Sequence, residues 1–463
     1  MCLDEEAIEL IDLARSLAAR VEGNKSAFDD LVAQISRDFG RATTPIEHEH
    51  IVQKAGRELR HLWLEASASS TSRSYRSPPA DQNTQTATGR SVEFGYERDL
   101  QPTYLEERCA RFFSAPPKGW SVDHVLLSSG QSAMAAVLHA LEGFQGKNGR
   151  KLSFIHLGSY FETAEIFSLF SSLLKCAGRG RQAVTRMGEI DADIFIIEPV
   201  FCDGEFGCAD VGRLVEAHKS GPRRQRAYVF DNTLVGMNYA LEEQLDRMHE
   251  SNPLAVFRLI SGLKLFQGGL ELSNVGIVSV FAADESGNLA RRIGDRLRKI
   301  RTLLGLGLSF AEVAALEAPW FLDREYTTVY QGAIFRNNAE LARAVAAENR
   351  LFRGVFHPVL LSCPAGARDA PYCVFRLRDN DAQSYSVLES YLQREVSRRG
   401  ILLEPGGSFG FRGHRFEVVR PEDGTEPFLR IALGRRTGWS RDESIKLMLE
   451  VARSTDVSQL GAN

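Results

Sequence analysis

The chain has 463 residues, of which 43% are hydrophobic and 25% charged, and a net charge of -4. That length allows two or three domains, and the composition is that of a soluble globular protein. The charge leaves no basic field for nucleic acid or an anionic membrane, and no apolar run approaches the roughly 20 residues that span a bilayer. Seven cysteines (2, 109, 176, 202, 208, 363 and 373) are odd in number and form no Cys-x-x-Cys pair. This favours reduced thiols and a cytoplasmic location over a disulfide framework. The first residues, MCLDEEAIELIDLA, are acidic and amphipathic, unlike a secretory or organellar signal.

Residues 3–22 place Ala7, Leu10, Ala14, Leu17 and Val21 on one helical stripe, Phe28, Leu31, Ile35 and Phe39 repeat the pattern, and a third helix is predicted over 47–65. His48-Glu49-His50, with His61 nearby, has no Cys or further carboxylate cluster to complete a ligand set, so no metal is expected. Residues 66–93, rich in Ser, Thr and Pro, read as a flexible linker or extended arm.

From about 121 the pattern is strand, turn, helix, repeated: HVLLSSG then QSAMAAVLHAL, KLSFIHL then a helix from Thr163, DIFIIEPV then VGRLVEAHK, AYVFDNT, AVFRLI, NVGIVSV. Short, continuously apolar strands alternating with helices predict an α/β fold with a mainly parallel sheet covered on both faces. After about 320 come longer helices with strands near PYCVFRL and PFLRIAL, a smaller C-terminal α+β domain. The predicted division is 1–65 helical, 66–93 linker, 94–325 large domain and 326–463 small domain.

Ligands in such sheets bind beyond the carboxyl ends of the strands, where Ser129, Glu198, Asp231 and Lys264 fall. A lone Lys after a strand is ordinarily a solvated loop residue, and a lone Asp there a cap or turn. A carboxylate and a lysine at the ends of two neighbouring strands suit pyridoxal phosphate: Asp keeps the pyridine nitrogen protonated and Lys forms the imine with the aldehyde. In SSGQSAM the helix start offers backbone N–H groups to an anion, making Gly130, Gln131 and Ser132 candidates for the phosphate, with Ser261 adding a hydroxyl.

Seven segments in order, FGYERDLQPTYLEERCARFF (94–113), LLSSGQSAMAAVL, YFET, Glu198-Pro199, FDNTLVG, SGLKLFQGG, and SFG with FLRIALG, resemble the Cys/Met metabolism (trans-sulfuration) family over roughly 94–440. These are fold type I pyridoxal phosphate enzymes such as cystathionine γ-synthase and methionine γ-lyase. The resemblance implies a seven-stranded large-domain sheet and these roles: Lys264 as Schiff-base lysine and proton shuttle; Asp231 on the pyridinium; Tyr160 stacked on the ring; Tyr96 and Arg98 on the phosphate of a neighbouring subunit in a homodimer or homotetramer; Arg430, with Ser408, on the substrate. Departures are Gln131, Leu263, Gly268-Gly269, Gln101-Pro102-Thr103, Phe161 and Glu162, pocket positions that bear on substrate more than on cofactor. The expected activity is β/γ-elimination or γ-replacement on an amino acid activated at sulfur or oxygen. An aminotransferase and a non-catalytic relative are the alternatives.

Overall fold

The computed structural model describes residues 3–461 other than 22, 24, 80, 81, 83, 144–150, 173, 181–191, 221–224, 252, 285–287, 365 and 422–425. Its centre is a seven-stranded sheet of β1 (Ser121–Leu127), β2 (Leu152–Leu157), β3 (Leu174–Arg179), β4 (Ile194–Ile197), β5 (Ala227–Asp231), β6 (Ala255–Ser261) and β7 (Gly276–Ala282), in the order β1-β7-β6-β5-β4-β2-β3. The run from β6 to β3 is parallel, whereas β7 is antiparallel to both β6 and β1. A parallel return needs a crossover of a dozen or more residues, usually with a helix. Between β6 and β7 only the four-residue helix Gly262–Leu265 intervenes, and the chain comes straight back.

All four positions of β4 and all seven of β7 are buried, as a sheet covered on both faces requires. Arg258 is the buried exception in β6; Glu242 accepts its hydrogen bond at 2.8 Å and the Phe113 ring lies 3.8 Å from its guanidinium. The helix Arg324–Glu348, capped by Asp323, leads to a second, five-stranded sheet. It comprises β8 (Phe352–Phe356), β9 (Cys373–Leu377), β10 (Leu403–Pro405), β11 (His414–Val419) and β12 (Phe428–Ala432), ordered β10-β11-β12-β9-β8. Burial alternates along β11, so this sheet has one fully packed face and one that is only partly covered.

Helices α1 (Leu3–Ala18), α2 (Lys25–Arg41) and α3 (Pro45–Thr71) pack on one another and on Leu270, Leu272, Ala315, Ala318 and Trp320. A Thr44/Glu47 capping box starts α3, which continues through Ser67 and Thr71, both buried, into the Ser-rich stretch. Beyond it Thr84, Thr86, Ala87 and Val92 are buried as well. Glu6 of α1 accepts from Arg412 Nε at 3.1 Å and Arg436 Nε at 3.2 Å, and Glu9 accepts from Arg412 Nη1 at 2.9 Å. The extension is therefore keyed into the segments that flank β11 and β12.

One pair of thiols departs from the expected reduced state: Cys208 and Cys363 form a disulfide. They are 155 residues apart, and only the packing of the loop after β4 on the segment before β9 brings them together, so spacing carried no signal. Cys2 lies outside the described residues. No described helix is long and apolar enough to cross a membrane.

Candidate active site

Because β2, β4, β5 and β6 are parallel, their carboxyl ends open on one side, onto a cavity of about 240 Å³. Its wall includes Ser129, Gly130 and Gln131 after β1, Tyr160 and Glu162 after β2, Glu198 and Cys202 after β4, Asp231 and Thr233 at β5, and Ser261 and Lys264 after β6. Phe409 enters from the segment before β11.

Ser129 caps helix α4 (Gly130–Glu142), its Oγ accepting from Ser132 N at 3.0 Å. Ser132 Oγ bonds to Ser128 and Ser129 and does not line the cavity, whereas Ser129 does. Chain approach is tight here: a Cβ on Gly276 would lie 2.0 Å from the Ser129 carbonyl oxygen.

Asp231 takes a hydrogen bond from Thr233 N at 3.0 Å, and Thr233 Oγ1 accepts from Ser261 N at 2.9 Å, so one threonine joins the ends of β5 and β6. Burial pushes the Asp231 carboxyl up to about 6, against the pull of Thr233. Lys264 Nζ donates to Ser408 Oγ at 2.7 Å. Burial lowers the lysine's proton affinity; Glu271 and Glu162 oppose this, while Arg430 and Arg415 add to it.

Glu198, buried after β4, accepts from His156 Nε2 at 2.9 Å, Ser159 N at 3.1 Å, Tyr160 N at 2.9 Å and Cys202 N at 3.1 Å. Burial alone would raise its pKa, but the His156 contact and these N–H groups hold it low. One carboxylate thereby fixes the loops that carry Tyr160 and Cys202. Tyr160 Oη donates to Glu162 Oε2 at 2.5 Å, and the Gln131 amide also bonds Glu162. Burial, then Glu162, raises the Tyr160 phenol well above its usual range. Burial pushes the Cys202 thiol up to about 12.

Of the residues expected from the sequence, Gly130, Gln131, Tyr160, Asp231, Ser261 and Lys264 share this cavity, with Ser408 one bond away. Arg430 does not line it; it lies over the Tyr372 ring and is paired with Glu417. Tyr96, 58% exposed, stacks under Arg98, and neither lines the cavity. Thr233, Cys202 and Phe409 were given no role from the sequence, and Glu162 was named only as a departure at a pocket position; the signals for that neighbourhood were the YFET, Glu198-Pro199, FDNT and SFG segments. Among the described residues no cluster of His, Cys, Asp and Glu could hold a metal ion.

This mixed seven-stranded sheet, with helices around it and a smaller C-terminal sheet, is the fold of the fold type I pyridoxal phosphate-dependent enzymes. In particular, yeast cystathionine gamma-lyase matches with a TM-score of 0.59 at 15% identity, covering 86% of this chain and 98% of that one. CalE6, a methionine gamma lyase from Micromonospora echinospora, gives 0.55 at 18%, covering 83% and 92%. Serine palmitoyltransferase from Sphingomonas wittichii gives 0.52 at 13%, covering 86% and 84%. No family model and no curated protein matches the sequence. At these identities the shared property is the fold.

Proposed function

We infer that this chain is a pyridoxal phosphate-dependent enzyme acting on an amino acid, by β/γ-elimination or γ-replacement of a group attached through sulfur or oxygen. The observation that carries the reading is the convergence of Lys264 and Asp231, from adjacent strands, on one cavity. The fit to the cofactor rests on donor chemistry. Asp231 is a half-buried carboxylate whose hydrogen bonds come from Thr233, and desolvation works against its charge; a protonated ring nitrogen is the partner that would restore it. The N-terminus of α4 with Ser129 and Ser261 suits the phosphate, and Lys264 suits the aldehyde.

When bound, pyridoxal phosphate supplies a carbonyl for the substrate amine and a ring that takes up electrons. The chain's own residues do the rest. Lys264 Nζ, its basicity lowered by burial, is able to be neutral and so to accept the proton from the substrate Cα. Ser408 orients that amine. Tyr160 keeps its proton, stacks as a wall, and is aimed by Glu162. Arg430 takes the α-carboxylate through its planar fork.

The test is mass spectrometry of products after purified, cofactor-loaded protein meets a panel of amino acids, with and without a thiol. Keto acid with released thiol or alcohol, or a replacement product, supports the reading. Conversion of the cofactor to pyridoxamine phosphate favours an aminotransferase, and a colourless protein favours a non-catalytic relative.

A further inference from the structure

Arg430, which the reading above assigns to a substrate carboxylate, already holds one. Glu417 on β11 and Arg430 on β12 are direct partners in the antiparallel register, and Arg430 Nη2 donates to Glu417 Oε1. Cross-strand ion pairs on open sheet faces contribute little and need no functional account. This pair is not on an open face. Its side chains are 19% and 26% exposed. The loop carrying Ser408 closes over it: a Cβ on Gly407 would lie 2.4 Å from Glu417 Oε2 and 3.5 Å from Arg430 Nη2. The next residue, Ser408, is the hydrogen-bond partner of Lys264. On the other side the guanidinium carbon lies 5.3 Å from the Tyr372 ring centre, and the Tyr372 hydroxyl is 3.3 Å from Sγ of the cavity residue Cys202.

We propose that Glu417 is a specificity-determining residue: an internal carboxylate that occupies Arg430 and must release it before the α-carboxylate of a substrate can bind. This rests on the assignment of Arg430 to the substrate carboxylate. A simple neutral amino acid gains the Arg430 contact only by breaking one of the same kind, and leaves Glu417 half-buried without its partner. Such substrates therefore bind weakly, and the chain discriminates against small amino acids whose other groups do not offset that loss.

The experiment titrates cofactor-loaded protein with L-alanine and L-methionine, reading binding from the change in visible absorption. Glu417→Gln, which keeps shape and removes charge, tightens both about 10- to 100-fold, the scale of one charge-assisted hydrogen bond. Glu417→Ala does the same. Arg430→Ala weakens binding, and adding Glu417→Gln to it changes nothing further. In cofactor-free protein, phenylglyoxal labelling of Arg430, quantified on its peptide, rises in Glu417→Gln. Weakened binding in Arg430→Ala with no tightening in either Glu417 variant overturns the gate and leaves the carboxylate assignment standing. Unchanged binding in Arg430→Ala overturns that assignment and the gate with it.

Discussion

Lys264 Nζ and Ser408 Oγ are 2.7 Å apart although 144 residues separate them, a hydrogen bond that joins the end of β6 to the loop between β10 and β11 of the smaller sheet. The loop approaches the lysine backbone too closely for any side chain at Gly410: a Cβ there, at φ +89°, would meet the Lys264 carbonyl oxygen at 2.1 Å. Ser408 itself has φ +70°, a left-handed conformation rare outside glycine that holds its hydroxyl toward the lysine. The lysine proposed to hold the cofactor is thus also tied to the segment before β11.

Lys264 is expected to carry the cofactor. Purified protein should show a visible chromophore that borohydride fixes to the peptide containing Lys264, and Lys264→Ala should abolish turnover. A label on another lysine sinks the assignment.

Asp231→Asn is expected to retain cofactor but lose turnover by orders of magnitude, because a neutral pyridine is a poor electron sink. Stability gives a second readout. The folded pKa, about 6, lies above the ordinary 3.8, so in cofactor-free protein the folded state binds this proton more tightly than the unfolded state. The stabilising contribution is then complete below about pH 4, falls as pH rises to about 6, and is absent above that. Asp231→Asn lacks this loss, so its advantage over the native chain should grow across that window, to at most about 3 kcal/mol. Denaturant curves whose difference stays constant from pH 4 to 7 would contradict it.

Tyr160 is expected to act with its proton on. Burial and Glu162 raise the phenol, so its ionisation should not set the alkaline limb of the rate profile. Tyr160→Phe should therefore lower the rate while leaving the alkaline limb where it is. A limb that moves or vanishes in Tyr160→Phe would show that the phenol ionises in the working range.

Tyr96 and Arg98, exposed and outside their own chain's cavity, are expected to complete the cavity of a second copy. Mixed Lys264→Ala and Arg98→Ala subunits should regain part of the activity that each variant lacks alone. A fully active monomer would rule this out.

Glu6 is expected to be a major stabilising residue. Burial alone would raise its carboxyl, but Arg436, Arg412 and Arg435 hold it below the ordinary 4.5. Its contribution is present above that value and lost as pH falls through the lower folded one. Glu6→Gln leaves buried guanidinium groups short of charge and should cost about 3–5 kcal/mol at neutral pH. A denaturant midpoint matching the native chain's would show that the cluster is dispensable.

The alternation of apolar strands with helices was local information, and it sufficed for the α/β class and for placing Gly130, Gln131, Asp231, Ser261 and Lys264 at strand ends, whereas Tyr160 was named only through the resemblance of YFET. These positions are legible because buried parallel strands are continuously apolar and end in polar turns. What the sequence could not decide were contacts made by chain closure. The antiparallel return of β7, Glu162 folding back on Tyr160, the Cys208–Cys363 disulfide and the capture of Arg430 by Glu417 all depend on which segments pack side by side. The insertion of α1 carboxylates among Arg412, Arg435 and Arg436 is the same kind of fact. Periodicity fixes which face of an element is buried; the partner it is buried against is set by tertiary packing, and in this chain that packing decides which charges reach the lysine.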